Sequence, residues 1–412
     1  MIDIRAARAD TDAYRAALAR KGAEQDFDAL MEADRAWLAL VPRVDELRAK
    51  TKVKGKPTPE QIEELKGVKA ELQRAEEELA AAERGRLELL DRVPAPPDAS
   101  APDGSAPDGF TEDDAEELRR VGEPPSFPFD ARDHLELARI ETERAARVSG
   151  SRFVYRVGAA ALVELALYRF ALDRLLAKAF TPVLPPVLVR EEAMYGTGFL
   201  PTDEVNIYRI ERDELYLTGT SEVALAAFHT GEAVAAESLP LRYAGYSTCF
   251  RREAGAAGKD TRGMFRVHQF DKVEMFVFCQ PGRSREEHDA LLAVEEELVH
   301  ELGIPYRVVN VAAGDLGAAA SKKYDIEAWF PGQGRYREIT STSNTTDYQS
   351  RRLDIRFRGE RGLEFVHTLN GTAMTARAMI AVLENFQDEG GAVAVPEALA
   401  GFGAPARIEP GD

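Results

Sequence analysis

Two runs of apolar residues at three-four spacing, joined by a turn that neither can cross, constrain this chain more than any other feature. The first is Leu30, Ala33, Trp37, Leu40, Val44 and Leu47; the second is Leu65, Val68, Leu72, Ala75, Leu79 and Ala82, then Leu89. That spacing is the seam of a coiled coil. Between them lies KTKVKGKPTP, whose glycine and two prolines force a turn. Helices joined so closely have to fold back as an antiparallel pair. A helical hairpin packed on a core would carry the same seams. Here, however, the faces away from both seams are almost wholly polar, as expected of an arm standing in solvent. Pro42 falls inside the first run and predicts a kink or a fresh helix start.

The tip of the hairpin holds Arg48, Lys50, Lys52, Lys54 and Lys56 with no acid among them. A charge run is usually a solvated face. On a chain of net charge -18, this one is as well suited to contacting phosphate. The acidic balance argues against a general nucleic-acid surface, and so against DNA as a partner. At 412 residues with 44% hydrophobic composition, the chain reads as two or three globular domains. It has no apolar run long enough to span a bilayer and no apolar signal core at its start, so no membrane is expected. Cys249 and Cys279 have no CxxC spacing and the histidines stand singly, which points to a reducing, cytoplasmic setting without a disulfide framework or zinc site.

The organisation expected is a helical arm domain over 1–93, a linker over 94–125 and a larger domain over 126–412. The linker contains PAPPDASAPDGSAPDG, with SAPDG repeated, which cannot bury apolar surface. Beyond it, strand-like segments such as PYRVVNVAA mix with helices such as 286–302, without regular βαβ spacing. That texture predicts an α+β fold: a mostly antiparallel sheet with helices around it.

Within this domain, FRREAGAAGKDTRGMFRVHQFDKVEMF (250–276) sets apolar residues on both sides of a glycine-containing centre. In strands, residues two apart share a face. Cys249, Arg251 and Glu253 would then share a surface with Arg266, His268, Phe270, Lys272 and Glu274 across a hairpin. Such a surface is either a set of cross-strand salt bridges or a platform for a ligand bearing phosphates, an amine and an aromatic base. Neither a Walker A loop nor a GxGxxG fingerprint is present to bind a nucleotide instead.

This stretch closely resembles the second signature motif of class II aminoacyl-tRNA synthetases, in the form typical of seryl-tRNA synthetases. The similarity extends through TGTSEVALAAFH (218–229), the segment 310–358 and TLNGTAMTARAMIAVLENFQ (368–387), while FTPVLPPVLV (180–189) resembles the family's first motif, its dimer interface. The resemblance implies an adenylation site for ATP, Mg²⁺ and L-serine, with tRNA(Ser) reached through the arm of a homodimer. Arg251 would hold the α-phosphate and serine carboxylate, Glu253 the adenine amino group, Phe270 the adenine ring, and Arg377 the γ-phosphate. Arg252, Ile339 and Thr340 would complete the ATP set, and Glu338 and Ser341 would bind the metal. Thr220, Ser221, Glu222, Glu274 and Thr372 would form the serine pocket. The pattern departs in a shorter arm turn, in a shorter segment after DHLEL and in the spacing of five from Thr372 to Arg377, without removing any residue named. Three readings remain at this point: a serine–tRNA ligase, a paralogue of the same chemistry serving a biosynthetic pathway, carrier protein or antibiotic self-resistance, and a catalytically silent binding or regulatory homologue.

Overall fold

A computed structural model describes residues 1–52, 58–103, 114–254, 260, 262–360 and 362–411. The chain forms two compact units, Met1–Pro96 and Pro97–Asp412. In the first, the two seam runs become helices Glu24–Lys50 and Pro59–Arg92. The second starts sharply because Thr58 and Gln61 form a reciprocal capping box and Pro59 occupies the first turn. Val44 and Leu47 pack with Ala75, flanked by Val68, Leu72 and Leu79, while Leu30 joins Phe27, Met31, Leu90 and Val93 nearer the helix base. Pro42 does not end the first helix, which runs through it. Pro42 is exposed, so water can satisfy the carbonyl left without its donor.

The arm also buries a charge that hydrophobic periodicity could not reveal. Asp34 is inaccessible, and accepts from Arg8 at 2.6 and 2.8 Å and from Arg86 at 2.6 Å. Burial pushes its carboxyl up, but these bonds outweigh burial and hold it below the ordinary range. Arg86 also lies over the Trp37 ring at 4.7 Å. Removing either arginine would leave part of a buried carboxylate unpaired.

The second unit is built on an eight-stranded sheet. Its order is Glu116–Val121, Tyr306–Asn310, Lys322–Phe330, Arg335–Thr346, His367–Thr375, Gln269–Cys279, Leu241–Phe250 and Thr181–Val183. All neighbours are antiparallel except the last pair. Val273, Met275, Val277, Ile326 and Leu369 bury with residues of helices Ala159–Ala177, Ser284–Glu301 and Ala376–Asn385. Side chains at alternating positions, such as Lys272 and Glu274, leave this cluster and face a polar cavity.

Two expectations need correction. The segment 94–125 is not a free linker throughout. Ala101 packs with Val311, Ala313 and Leu316, Asn310 donates to the Ser100 carbonyl at 2.8 Å, and Glu116–Val121 forms the sheet's outer strand. The repeat's remainder, 104–113, lies outside the described residues, as do Lys54 and Lys56. The hairpin strands are also shorter than alternation suggested. They end at Phe250 and resume at Gln269, so Arg251, Arg252, Glu253, Arg266 and His268 lie on the connecting segment.

Candidate active site

The Leu241–Phe250 strand delivers Arg251 to the cavity rim. Its backbone N–H donates to the His268 carbonyl at 2.9 Å, which closes the hairpin one step beyond the strands. Arg251 Nε donates to the Gly219 carbonyl at 3.1 Å, and its guanidinium lies over the Phe270 ring at 5.3 Å. Glu253 also lines the cavity, held in left-handed backbone (φ 51°) with Arg266 Nε 3.5 Å from its carboxylate.

Thr220, Glu222, Glu274 and Thr372 come together in the same cavity, which has a volume of about 640 Å³. Glu274 stands opposite Thr372 across the strand ladder, accepts from Thr220 Oγ1 at 3.3 Å and forms an ion pair with Lys272. Glu222 accepts from Gln349 Nε2 at 2.7 Å and Asn370 Nδ2 at 3.0 Å. Burial and then the neighbouring Glu274 charge push Glu222 up to about 7. Burial likewise raises Glu274, despite Lys272. Two carboxyls so placed lack full cationic compensation, the condition a ligand ammonium would relieve.

A β-bulge brings Glu338 and Ser341 to one face. Three residues apart on a regular strand, they would point oppositely. The ladder, however, pairs Ile326 with Thr340 and Glu327 with Glu338, leaving Ile339 as the extra residue. Glu338, Ile339 and Ser341 consequently all line the cavity. Thr340 does not: its hydroxyl donates away from the cavity, to the buried Glu295 at 3.1 Å. Arg377, capped into its helix by Thr375, donates to the Glu338 carbonyl at 3.1 Å and carboxylate at 3.2 Å. Burial pushes Glu338 up, but Arg377, Lys323 and Arg251 override it and hold the carboxyl below its ordinary range.

Two other expected residues are not brought in. Ser221 is buried but absent from the lining, and its hydroxyl has no hydrogen-bond partner among the described residues. Arg252 is exposed and also absent from the lining. Conversely, Lys323, Asn370 and Phe265 line the cavity although no sequence pattern assigned them to it, and Lys272, expected on the shared hairpin surface, lines it too. Phe265 is the aromatic partner of Arg377, whose guanidinium lies over its ring at 4.6 Å. Lys272 was legible, two residues before Glu274 on one strand face; Asn370 in TLNGT and Gln349 in TDYQS carried no comparable signal.

On the arm, Arg48 and Lys50 end the first helix. Arg48 donates to Glu76 at 2.9 Å and Lys50 pairs with Glu46 at 2.8 Å, so their charge is partly answered within the arm. Among the described residues no helix is long and apolar enough to cross a membrane.

An antiparallel sheet that presents a motif arginine, paired carboxylates and a second arginine to one polar cavity defines the catalytic core of class II aminoacyl-tRNA synthetases. Residues 206–386 match the family model described as tRNA synthetase class II core domain (G, H, P, S and T). Residues 1–97 match the seryl-tRNA synthetase N-terminal domain. The chain is 49% identical to the serine–tRNA ligase of Thermobifida fusca, over 98% of this chain and 97% of that protein. It is 44% identical to that of Corynebacterium efficiens over the full length of both. Its structure is similar to that of seryl-tRNA synthetase from Pyrococcus horikoshii complexed with ATP, with a TM-score of 0.93 and 38% identity over 100% of both chains. The cytoplasmic serine–tRNA ligase of Naegleria fowleri in complex with AMP gives 0.88 and 32%, covering 98% of this chain and 96% of that one. This chain belongs to the seryl-tRNA synthetase family.

Proposed function

We propose that this chain activates L-serine with ATP to seryl-adenylate and transfers the seryl group to the 3′ end of tRNA(Ser). The carrying observation is the position of Arg251, which lines one cavity together with Glu222, Glu274 and Glu338. A cation among these groups suits the point where two anions must meet: the serine carboxylate and the α-phosphate. A serine carboxylate oxygen would form the new bond to the α-phosphorus as the bond to pyrophosphate breaks. No protein nucleophile is required, so the protein contributes orientation and charge stabilisation.

Arg251 would orient both reactants, Phe270 and Glu253 would take the adenine ring and its amino group, and Arg377 the γ-phosphate. Thr220, Glu222 and Glu274 would hold the serine ammonium and hydroxyl, with Thr372 closing the pocket. A buried acceptor for the hydroxyl disfavours alanine, which would leave it unpaired. Glu338, kept ionised beside Arg377, and the Ser341 hydroxyl supply hard oxygen donors to the cavity. Two such ligands fit a Mg²⁺ held largely by the phosphates of ATP, where it would offset phosphate charge.

The arm tip, with Arg48, Lys50, Lys52, Lys54 and Lys56, would contact the tRNA backbone. A second copy of the chain would cover the exposed leucines of the Ala159–Ala177 helix and Leu184, just past the following strand, giving a cytoplasmic homodimer. The test is serine-dependent ATP–pyrophosphate exchange with Mg²⁺, run beside alanine and glycine and followed by charging of total tRNA. Exchange equal with alanine would overturn the pocket assignment. Exchange without charging would favour the alternative in which the seryl group goes to another acceptor.

A further inference from the structure

A second cluster of buried polar groups lies behind the ATP side of the cavity. His134 belongs to the DHLEL segment and is buried, as is Glu384 near the end of the Ala376–Asn385 helix. His134 Nδ1 lies 3.1 Å from Glu384 Oε1, and the Met264 backbone N–H donates to His134 Nε2 at 3.2 Å. A backbone amide can only donate, so Nε2 is the acceptor and the ring proton sits on Nδ1, pointing to Glu384. The other Glu384 oxygen accepts from the Gly332 N–H at 3.1 Å. Each polar atom of this pair is therefore committed to one partner. The fit is close: a β-carbon on Gly263 (φ +83°) would sit 2.5 Å from His134 Nε2.

These groups form a closed ring. Met264 and Phe265 line the cavity. Phe265 touches Arg377 twice, through its ring at 4.6 Å and through its carbonyl, which accepts from Arg377 Nε at 3.4 Å. Arg377 begins the helix that carries Glu384. From Glu384 the ring returns through His134 to Met264. Two walls distant in sequence, the Met264–Phe265 segment and the Arg377 helix, are thus tied at their back by a single imidazole.

We propose that His134 is a positioning residue for ATP, setting the spacing between the Met264–Phe265 wall and Arg377 without touching the substrate. The inference rests on the adenylation reading above. A histidine kept only for packing would be replaceable by an apolar side chain of similar size. One that holds the Met264 amide would need an acceptor at the far end of the side chain. Glutamine supplies that acceptor; asparagine is shorter and reaches Glu384 but not Met264.

The experiment compares His134→Gln, His134→Asn and His134→Leu in serine-dependent ATP–pyrophosphate exchange, with thermal melts to verify folding. Removal of one backbone hydrogen bond corresponds to about a fivefold to tenfold change. His134→Asn and His134→Leu should raise the KM for ATP by that amount or more, with the KM for serine changed less than about twofold; His134→Gln should stay near wild type. Equal ATP KM values for Asn and Gln would overturn the proposal, as would a serine KM that rises in step with that of ATP. If His134→Leu does not fold, the Asn and Gln pair decides; if neither of those folds, His134 is a core residue and the proposal fails. A wild-type protein without exchange would refute the adenylation reading itself, an outcome distinct from all of these.

Discussion

Glu222 titrates at about 7 because it is buried and, next in size, because the Glu274 carboxylate shares its cavity. The two acids stand on different elements, one in a short helix after Thr220 and one mid-strand, and neither is neutralised fully by Lys272. The arrangement disfavours negative charge until a cation arrives.

This couples serine binding to protons. Ammonium binding requires ionised Glu222, which must first lose its proton below about pH 7. Serine affinity should therefore fall about tenfold from pH 8 to pH 6, with proton release on binding at the lower pH. Calorimetry in buffers of different ionisation enthalpy measures both. The stability sign is opposite to that of a salt-bridged acid. The folded value lies above the ordinary 4.5, so folding favours the protonated form, and stability falls as pH rises from about 4.5 to about 7. Glu222→Gln should flatten that part of the curve. An unchanged pH profile in Glu222→Gln, or pH-independent serine affinity, would sink the assignment.

The seams from Leu30 and Leu65 were legible because a coiled coil writes its packing at fixed spacing. The Glu116–Val121 strand was not, because an outer strand with mostly exposed side chains has no buried face to impose alternation. At the site, the motif residues Arg251, Glu274 and Arg377 were legible through family resemblance, but their orientation was not. Nothing in EITS announces that Ile339 is a bulge, yet that extra residue decides that Glu338 and Ser341 face the cavity while Thr340 turns to Glu295. Asp34 was hidden for a related reason: its partners Arg8 and Arg86 are remote in sequence, so no local pattern records the burial.

Arg251 and Arg377 make a separable prediction. Each is only half-buried, so water can replace its bonds to the Gly219 and Glu338 carbonyls and alanine should leave the fold intact. Removing a charge-assisted bond to a reacting phosphate typically lowers rates roughly a hundredfold or more. Arg251→Ala and Arg377→Ala should each nearly abolish exchange, with melting profiles close to wild type. Near-normal exchange in folded Arg251→Ala would return that residue to a purely structural role.

The arm should act on tRNA alone. Replacing Arg48, Lys50, Lys52, Lys54 and Lys56 with serine should leave serine–ATP exchange unchanged and raise the apparent KM for tRNA. Each phosphate that is no longer neutralised should flatten the dependence of log affinity on log salt by somewhat less than about one. Arg48 and Lys50 are already paired with Glu76 and Glu46, so their single replacements should flatten it least. Unchanged tRNA KM and salt slope in the fivefold variant would make the tip an ordinary solvated turn.

The exposed leucines carry the last prediction. Leu162, Leu165 and Leu176 are exposed on the Ala159–Ala177 helix, and Leu184 follows the Thr181–Val183 strand at the sheet's edge with 83% of its surface accessible. Apolar side chains grouped beside an open strand edge are a surface that a partner covers. In a two-fold dimer every substitution is felt twice. Burying one leucine contributes about 2 kcal/mol, so Leu184→Asp should cost about 4 kcal/mol per dimer, roughly a thousandfold in dissociation constant. Sedimentation should show the wild type as a dimer at micromolar concentration and the variant as a monomer. Exchange should fall with it, because Thr181–Val183 pairs with the strand that ends at Phe250, next to Arg251. A variant that remains dimeric would remove this face from the interface, and a monomeric wild type with full exchange would show that the site is complete in one chain.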